Sequence, residues 1–398
     1  MKHTVPTILL SLAAALQGQQ PQFKEQTIDA NIQIGYGLAI ADVDGDAKTD
    51  ILLADKNEIA WYQNPSWQKH VIATSLTAKD HVCIAARDID GDGKAEIAVG
   101  AEWNPGDTEG SGAVFYLEAP KDRTQPWKAI RLPHEPTTHR MKWVRTAVNP
   151  DRYDLVVVPL HGRGNKNGQG AGVRVLAYQR PADIHATWPT HVLVDTMHAT
   201  HNLDIIPAPP TEAESLLVCG REGVVRLNPL ENGTRWQQQW IARHPTDSQE
   251  LPGAGEVRYG VLANGMPYVV TIEPMHGNML ALYTPAPSGP KDLPWNRQVL
   301  DDSLVDGHAL ATYDFLGLGN RQIAVGWRAQ QKIGPNVGVK FLHTTKETGA
   351  EWTTTPIDQN TMACEDLASF DLDGDKDQDL IAAGRRTKNV KIYWNQRK

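Results

Sequence analysis

Three acidic loops carry the plainest chemistry in this chain. They read Asp42-Val-Asp44-Gly-Asp46-Ala-Lys-Thr-Asp50, Asp88-Ile-Asp90-Gly-Asp92-Gly-Lys-Ala-Glu96 and Asp371-Leu-Asp373-Gly-Asp375-Lys-Asp-Gln-Asp379. Carboxylates at positions one, three, five and nine can wrap one hard cation, and glycine at position four permits the sharp turn. Ca²⁺ is the expected structural ion, because it takes six to eight oxygens at about 2.3–2.6 Å. A short apolar run comes after each loop, at 51–54, 97–100 and 380–384. Each loop is therefore expected to join two strands rather than two helices.

The loops belong to a repeating unit of four strands. An inner strand ends at the acidic loop. A small-apolar strand comes next, then one carrying aromatics, then one opening with Trp. Inner strands are expected to begin near Tyr36, His81, His139, His201, Glu256, His308 and Glu365. Outer strands are expected at Trp67, Trp127, Trp188, Trp236, Trp295 and Trp352. That gives seven inner strands and six outer ones, and the chain stops after Val390-Lys-Ile-Tyr-Trp394, a third strand. The segment Phe23-Lys-Glu-Gln-Thr-Ile28 resembles Trp67-Gln-Lys-His-Val-Ile72 and supplies the missing strand. Four-stranded units of about 40–60 residues repeated radially are the mark of a β-propeller. The expected fold is all-β, one seven-bladed propeller of four-stranded blades over residues 19–398, with the ring closed by the N-terminal strand. A sandwich would not repeat one four-part order seven times, and a β-helix repeat is shorter.

The formal net charge of −8 and the lack of any basic run argue against a nucleic-acid partner. Residues 1–18 have a basic start, a short apolar core and small residues before a polar stretch, the pattern of a secretory signal peptide. That core is too short to span a bilayer. A secreted or periplasmic location is expected, where abundant Ca²⁺ suits weak calcium sites. The three cysteines, Cys83, Cys219 and Cys364, fall on different blades and are expected to be buried free thiols.

In such a ring the inner strand runs from one face to the acidic loop on the other, and the second strand runs back. The starts of inner strands and the ends of second strands therefore share the face opposite the acidic loops. Of the fourteen histidines, seven fall there: His81, His139, His161, His198, His201, His276 and His308. Tyr36, Trp103, Glu256, Glu273, Glu365 and several arginines join them. Grouped titratable residues in a concave site are a functional-site signature. Polar side chains lining a water-filled channel are the competing structural reading. His198 and His201 are three apart on a strand and point to opposite faces, so both are not expected to be ligands. His139, His201, His276 and His308 come from separate blades and are expected to converge. Imidazole donors there would suit Zn²⁺ or another divalent metal in the central funnel.

The acidic loop with its small-apolar strand resembles the FG-GAP or VCBS repeats of integrin-type propellers, across residues 23–398. A narrower resemblance rests on Asp306-Gly-His308-Ala-Leu310 leading to Ile323-Ala-Val-Gly-Trp327-Arg328, on Trp61-Tyr-Gln-Asn-Pro65, and on Cys364-Glu365-Asp366-Leu with Gly384-Arg385 and Ile392-Tyr-Trp-Asn395. These stretches are similar to the propeller domain of aldos-2-ulose dehydratases. Those fungal lyases carry further cupin domains that these residues do not match. The resemblance implies dehydration or β-elimination on a keto-sugar or keto-glycoside by a carbon–oxygen lyase, with carbohydrate as partner. Such chemistry needs a base, a charge stabiliser for the enolate oxygen, and an acid for the leaving oxygen. His139, His201, His276 and His308 are the expected ligands or acid/base groups. Arg140, Arg258 and Arg328 are expected to contact anion or hydroxyl, and Tyr259 to act as a second acid. Two alternatives stand beside this: a polysaccharide lyase on uronate-containing glycan, and a non-catalytic calcium-stabilised propeller that binds carbohydrate or protein.

Overall fold

A computed structural model of the chain describes residues 22–148, 151–244, 253–286, 295–329 and 336–397. Residues 1–18, expected from the sequence to be a signal peptide, lie outside these. Seven four-stranded antiparallel sheets succeed one another around a central axis. Their innermost strands are Gly37–Ala41, Cys83–Arg87, Thr138–Val148, Thr200–Ile206, Glu256–Val261, Gly307–Tyr313 and Cys364–Phe370, which define blades one to seven. Each begins within two residues of the position expected from the repeat.

Ring closure obeys the expected scheme. Phe23–Asp29 pairs antiparallel with Asn389–Asn395, so the chain's first strand is the outer strand of blade seven. Behind this seam Lys391 is buried and donates to Asp358 at 3.1 Å and Thr361 at 2.6 Å. Tyr393 donates to the same Asp358 at 2.8 Å. Satisfied buried polar groups of this kind fix a register that apolar packing alone leaves loose.

Second strands are short runs of β-branched and small residues buried on both faces, such as Ile51-Leu-Leu-Ala54 and Leu155-Val-Val-Val158. They must be, because each blade is covered by a neighbour on either side. The core is accordingly divided into clusters that each join two adjacent blades. Ala98, Tyr116, Met141 and Trp143 bridge blades two and three, and Ile51, Tyr62, Ile381 and Ile392 bridge blades one and seven. Burying one such side chain stabilises by roughly 1.5–3 kcal/mol. All three cysteines are buried free thiols in these clusters, and burial raises their pKa, so they are inert packing groups. Among the described residues no helix is long and apolar enough to cross a membrane.

Strand direction sorts the loops by face. Strand starts of the inner ring meet at one mouth of the axis, and the acidic loops lie at the other.

Candidate active site

At the mouth opposite the acidic loops the propeller opens into a cavity of about 1310 Å³. Inner-strand starts contribute Tyr36, His139, Arg140, His201, His308 and Glu365. Loops after second strands contribute Trp103, His161, Arg221, His276, Arg328 and Arg385. The segment after blade three's second strand reaches over the same cavity through Asn165–Gln169. Arg221 of blade four holds this segment by donating to the carbonyls of Asn167 and Gly168, both at 3.1 Å.

His201, His276 and His308, from blades four, five and six, form the centre. One ring nitrogen from each lies within 4.8 Å of the others. The backbone fixes which nitrogen faces inward. His201 Nδ1 donates to the Gly255 carbonyl at 2.5 Å, and His308 Nδ1 donates to the Glu365 carbonyl at 2.6 Å. A carbonyl only accepts, so each neutral ring turns an Nε2 lone pair into the funnel. This is the arrangement by which metal-binding histidines are oriented and made more basic. His201 Nε2 and His276 Nε2 stand 2.6 Å apart. Two ring nitrogens that close require a proton or a cation between them. Protonation is disfavoured, because burial holds His201 and His308 well below the usual imidazole range, with His276 adding to both and Arg328 to His308. The wall around His276 and the neighbouring Arg328 lower its pKa too, although its ring is open to the funnel. The three rings thus fit a divalent ion of the borderline class that imidazole favours.

His139, expected as a ligand or an acid/base group, sits beside the triad. Its ring lies 4.5 Å from that of His201, centroid to centroid, and stacks on Trp103 at 4.8 Å. Its Nδ1 donates to the His201 carbonyl at 2.8 Å, while Arg140 Nη1 donates to its Nε2 at 3.2 Å. That guanidinium occupies the lone pair a metal would need. His198 turns away and pairs with Glu222 at 2.8 Å; it lies in the bend before the Thr200–Ile206 strand, so strand alternation does not set its direction.

Arg328 is in the funnel as expected, already neutralised by Asp306 at 3.0 Å and Glu365 at 2.7 Å. Glu365 also pairs with Arg385 at 2.8 Å. Two expected residues are elsewhere. Arg258 lies two residues further down its strand, in the narrower axial channel of about 460 Å³, paired with Glu256 at 3.4 Å. Tyr259 does not line the funnel; its ring lies under Arg321 at 5.8 Å. In its place the funnel presents Tyr36, whose hydroxyl donates to Asp80 at 2.9 Å beneath the Arg385 guanidinium. Burial raises the Tyr36 pKa, so it is a protonated donor. Glu256 is buried 3.7 Å from His201 Nδ1: burial pushes its carboxyl up to about 7, and it accepts from Asn202 at 2.7 and 2.8 Å.

At the other mouth each acidic loop brings three of its four expected carboxylates together: Asp42, Asp44 and Asp50; Asp88, Asp90 and Glu96; Asp371, Asp373 and Asp379. The position-five residues do not join these groups. Asp46, Asp92 and Asp375 accept backbone N–H groups two residues ahead, at 2.8, 2.8 and 3.0 Å, and so cap their own turns. Burial raises Asp50, Glu96 and Asp379 to about 7. A cation among them would restore ionisation.

The fold is a seven-bladed β-propeller, and its repeats are similar to FG-GAP repeats. FG-GAP families match residues 22–99 and 84–117. More particularly, the chain is similar to the propeller of a sugar lyase: a family described as the aldos-2-ulose dehydratase β-propeller domain matches residues 111–286. Aldos-2-ulose dehydratase of Phanerodontia chrysosporium is 27% identical over 285 residues, which is 67% of this chain but 30% of that protein's length. Two solved structures share the fold alone. One is a chain of a mitotic checkpoint complex, with a TM-score of 0.57 and 11% identity, covering 99% of this chain and 100% of that one. The other comes from the BBS1N–ARL6DN complex, with a TM-score of 0.56 and 13% identity, covering 95% and 97%.

Proposed function

We propose that the protein is a carbon–oxygen lyase that eliminates a β-oxygen substituent from a keto-sugar or keto-glycoside, with a divalent metal held by His201, His276 and His308. The observation that carries this reading is the convergence of three imidazoles from three blades with their inward lone pairs fixed by backbone carbonyls. The similarity to aldos-2-ulose dehydratase supports the reaction class. A divalent ion at the triad would supply Lewis-acid polarisation of the substrate carbonyl.

The remaining work falls to this chain's own groups. His139, whose Nδ1 is tied to the His201 carbonyl, is the base that removes the proton alpha to the carbonyl through Nε2. Arg140 must turn its Nη1 off that nitrogen first. The electron pair left on carbon forms the new C=C bond as the β C–O bond breaks. Tyr36, held protonated by burial and oriented by Asp80, gives its proton to the leaving oxygen, and the proton taken by His139 returns to the phenol through solvent after product leaves. Trp103 and the loop 165–169 exclude water from the reacting carbon. At the far mouth we read the acidic loops as structural Ca²⁺ sites, and we place the protein in a secreted or periplasmic setting. N-terminal sequencing of exported protein tests the latter.

The test is turnover of a keto-sugar monitored by enone absorbance, before and after metal removal by chelation. Absorbance that chelation abolishes and a divalent transition metal restores supports the lyase. Absence of turnover in metal-replete protein overturns it.

A further inference from the structure

Funnel charge is at odds with the molecule that carries it. The chain has a formal net charge of −8, yet the funnel lining holds five cationic side chains (Arg140, Lys166, Arg221, Arg328, Arg385) against one carboxylate, Glu365. The imidazoles are neutral, so they do not offset this. Some of these charges are committed. Glu365 neutralises Arg328 and Arg385, Asp306 also pairs with Arg328, and Arg221 holds the overhanging segment. Arg140 and Lys166 differ. Among the described residues neither forms an ion pair with any carboxylate. Arg140 donates only to a neutral imidazole and to the His139 carbonyl, at 3.2 and 3.0 Å. Lys166 stands on the segment above the cavity.

Their location decides what they are for. Charge that develops during elimination develops at the triad, between blades four and six. Arg140 comes from blade three, against the His139 ring at 3.2 Å, and Lys166 from the loop after that blade's second strand, so both lie on the blade-three side of the triad. A cation without a carboxylate partner on that side of the triad can receive a charge the substrate already carries when it binds. A concave site of one sign also raises the local concentration and the arrival rate of the opposite sign.

We infer that the funnel selects an acidic sugar, one whose carboxylate is received by Arg140 from below and Lys166 from above. This rests on the reading of the funnel as a sugar site, and it names the substrate class within it. A guanidinium offers a carboxylate two parallel N–H donors. Drawing Arg140 onto a carboxylate would also take its Nη1 off His139 Nε2.

The test is calorimetric titration of the purified full chain with D-glucuronate and 2-keto-D-gluconate, against D-glucose and D-fructose. Acid sugars are expected to bind at least about tenfold more tightly than the neutral ones, a preference that weakens as salt rises. Arg140→Gln should erase the preference, and Lys166→Gln should cut it by about threefold. Lys166 lies on an exposed loop, so its variant carries the test if the Arg140 variant does not fold. Equal affinity for acid and neutral sugars, or a preference intact in both variants, overturns the inference. Binding is read without turnover. Acid sugar held through Arg140 with no enone formed defeats the lyase reading and leaves this one standing. Enone formed from a neutral keto-sugar, with equal affinity for both classes, does the reverse.

Discussion

The two mouths of this propeller are built from the same strands and hold opposite kinds of donor. At one, neutral imidazoles are pinned by backbone carbonyls; at the other, carboxylates are pinned by backbone N–H groups. Asp50 accepts from Val43 and Asn64, both at 2.9 Å, and Asp379 accepts from Leu372 at 3.0 Å and Asn395 at 2.9 Å. Each end therefore uses the backbone polarity that leaves its own lone pairs free. The difference teaches that donor softness, set by side-chain type, would sort ions between the ends: imidazoles suit a borderline metal and carboxylates a hard one. Blade six supplies an internal control for the carboxylate end. There Asp314 closes a similar turn, accepting from Leu318 at 2.8 Å and Gly319 at 2.7 Å. Phe315 and Leu316 are buried, and Gln322 stands where the ninth carboxylate would be. The turn needs one aspartate, so turn geometry alone does not account for the further carboxylates of the other three loops.

The largest effect expected is at the imidazole end. His201→Ala or His308→Ala should lower turnover of a keto-sugar by at least about a hundredfold while circular dichroism stays unchanged. If either variant keeps near-full activity, the two ends do not differ as described.

Next comes calcium removal. At pH 7 each loop should lose about 2–3 kcal/mol of stabilisation on going from a hundredfold excess over Kd to none, read as a fall in Tm. Its sign depends on pH. Asp50, Glu96 and Asp379 have pKa values raised to about 7 by burial, so without the ion their contribution is complete below about pH 4. It is lost as pH rises through 7. Calcium should abolish that alkaline loss. An apo protein whose Tm stays flat from pH 4 to 8 would contradict it.

The imidazole end should titrate in the opposite sense. His139, His201 and His308 have depressed pKa values, so their contribution is present above about 6.5 and lost as pH falls through the lower folded values. Melting curves from pH 7 to 4 in saturating calcium should show stability falling toward acid, and His308→Ala should flatten that fall.

Much of this comparison was readable from the chain. The repeat fixed blade number, ring closure and which face each strand end occupies, because strand direction alternates without exception inside a blade. It therefore placed His201, His276 and His308 on one mouth. Depth was not readable in the same way. A strand advances about 3.3 Å per residue, so Arg258 sits roughly 7 Å below Glu256 and enters the channel instead of the funnel. Tyr259, one residue on, faces the other side of the sheet. Tyr36 begins an inner strand like the histidines, so the rule that found them also marks it; its neutral phenol gave less reason to choose it. The loop 165–169 is placed by Arg221, a contact between blades that no periodicity encodes.

The smallest effect expected is at position five. Asp46→Asn, Asp92→Asn and Asp375→Asn should each cost under about 1 kcal/mol in calcium, since an amide oxygen still caps the turn. Asp50→Asn should cost more. Equal losses at positions five and nine would place both in the ion's shell.

One measurement bears on the central claim most directly: metal content of the purified protein by plasma mass spectrometry, after calcium has been stripped by mild chelation, for the native chain and His201→Ala. The account predicts about one equivalent of a divalent transition metal in the native chain and close to none in the variant. Equal content in the two, or none in either after metal-replete preparation, would contradict it.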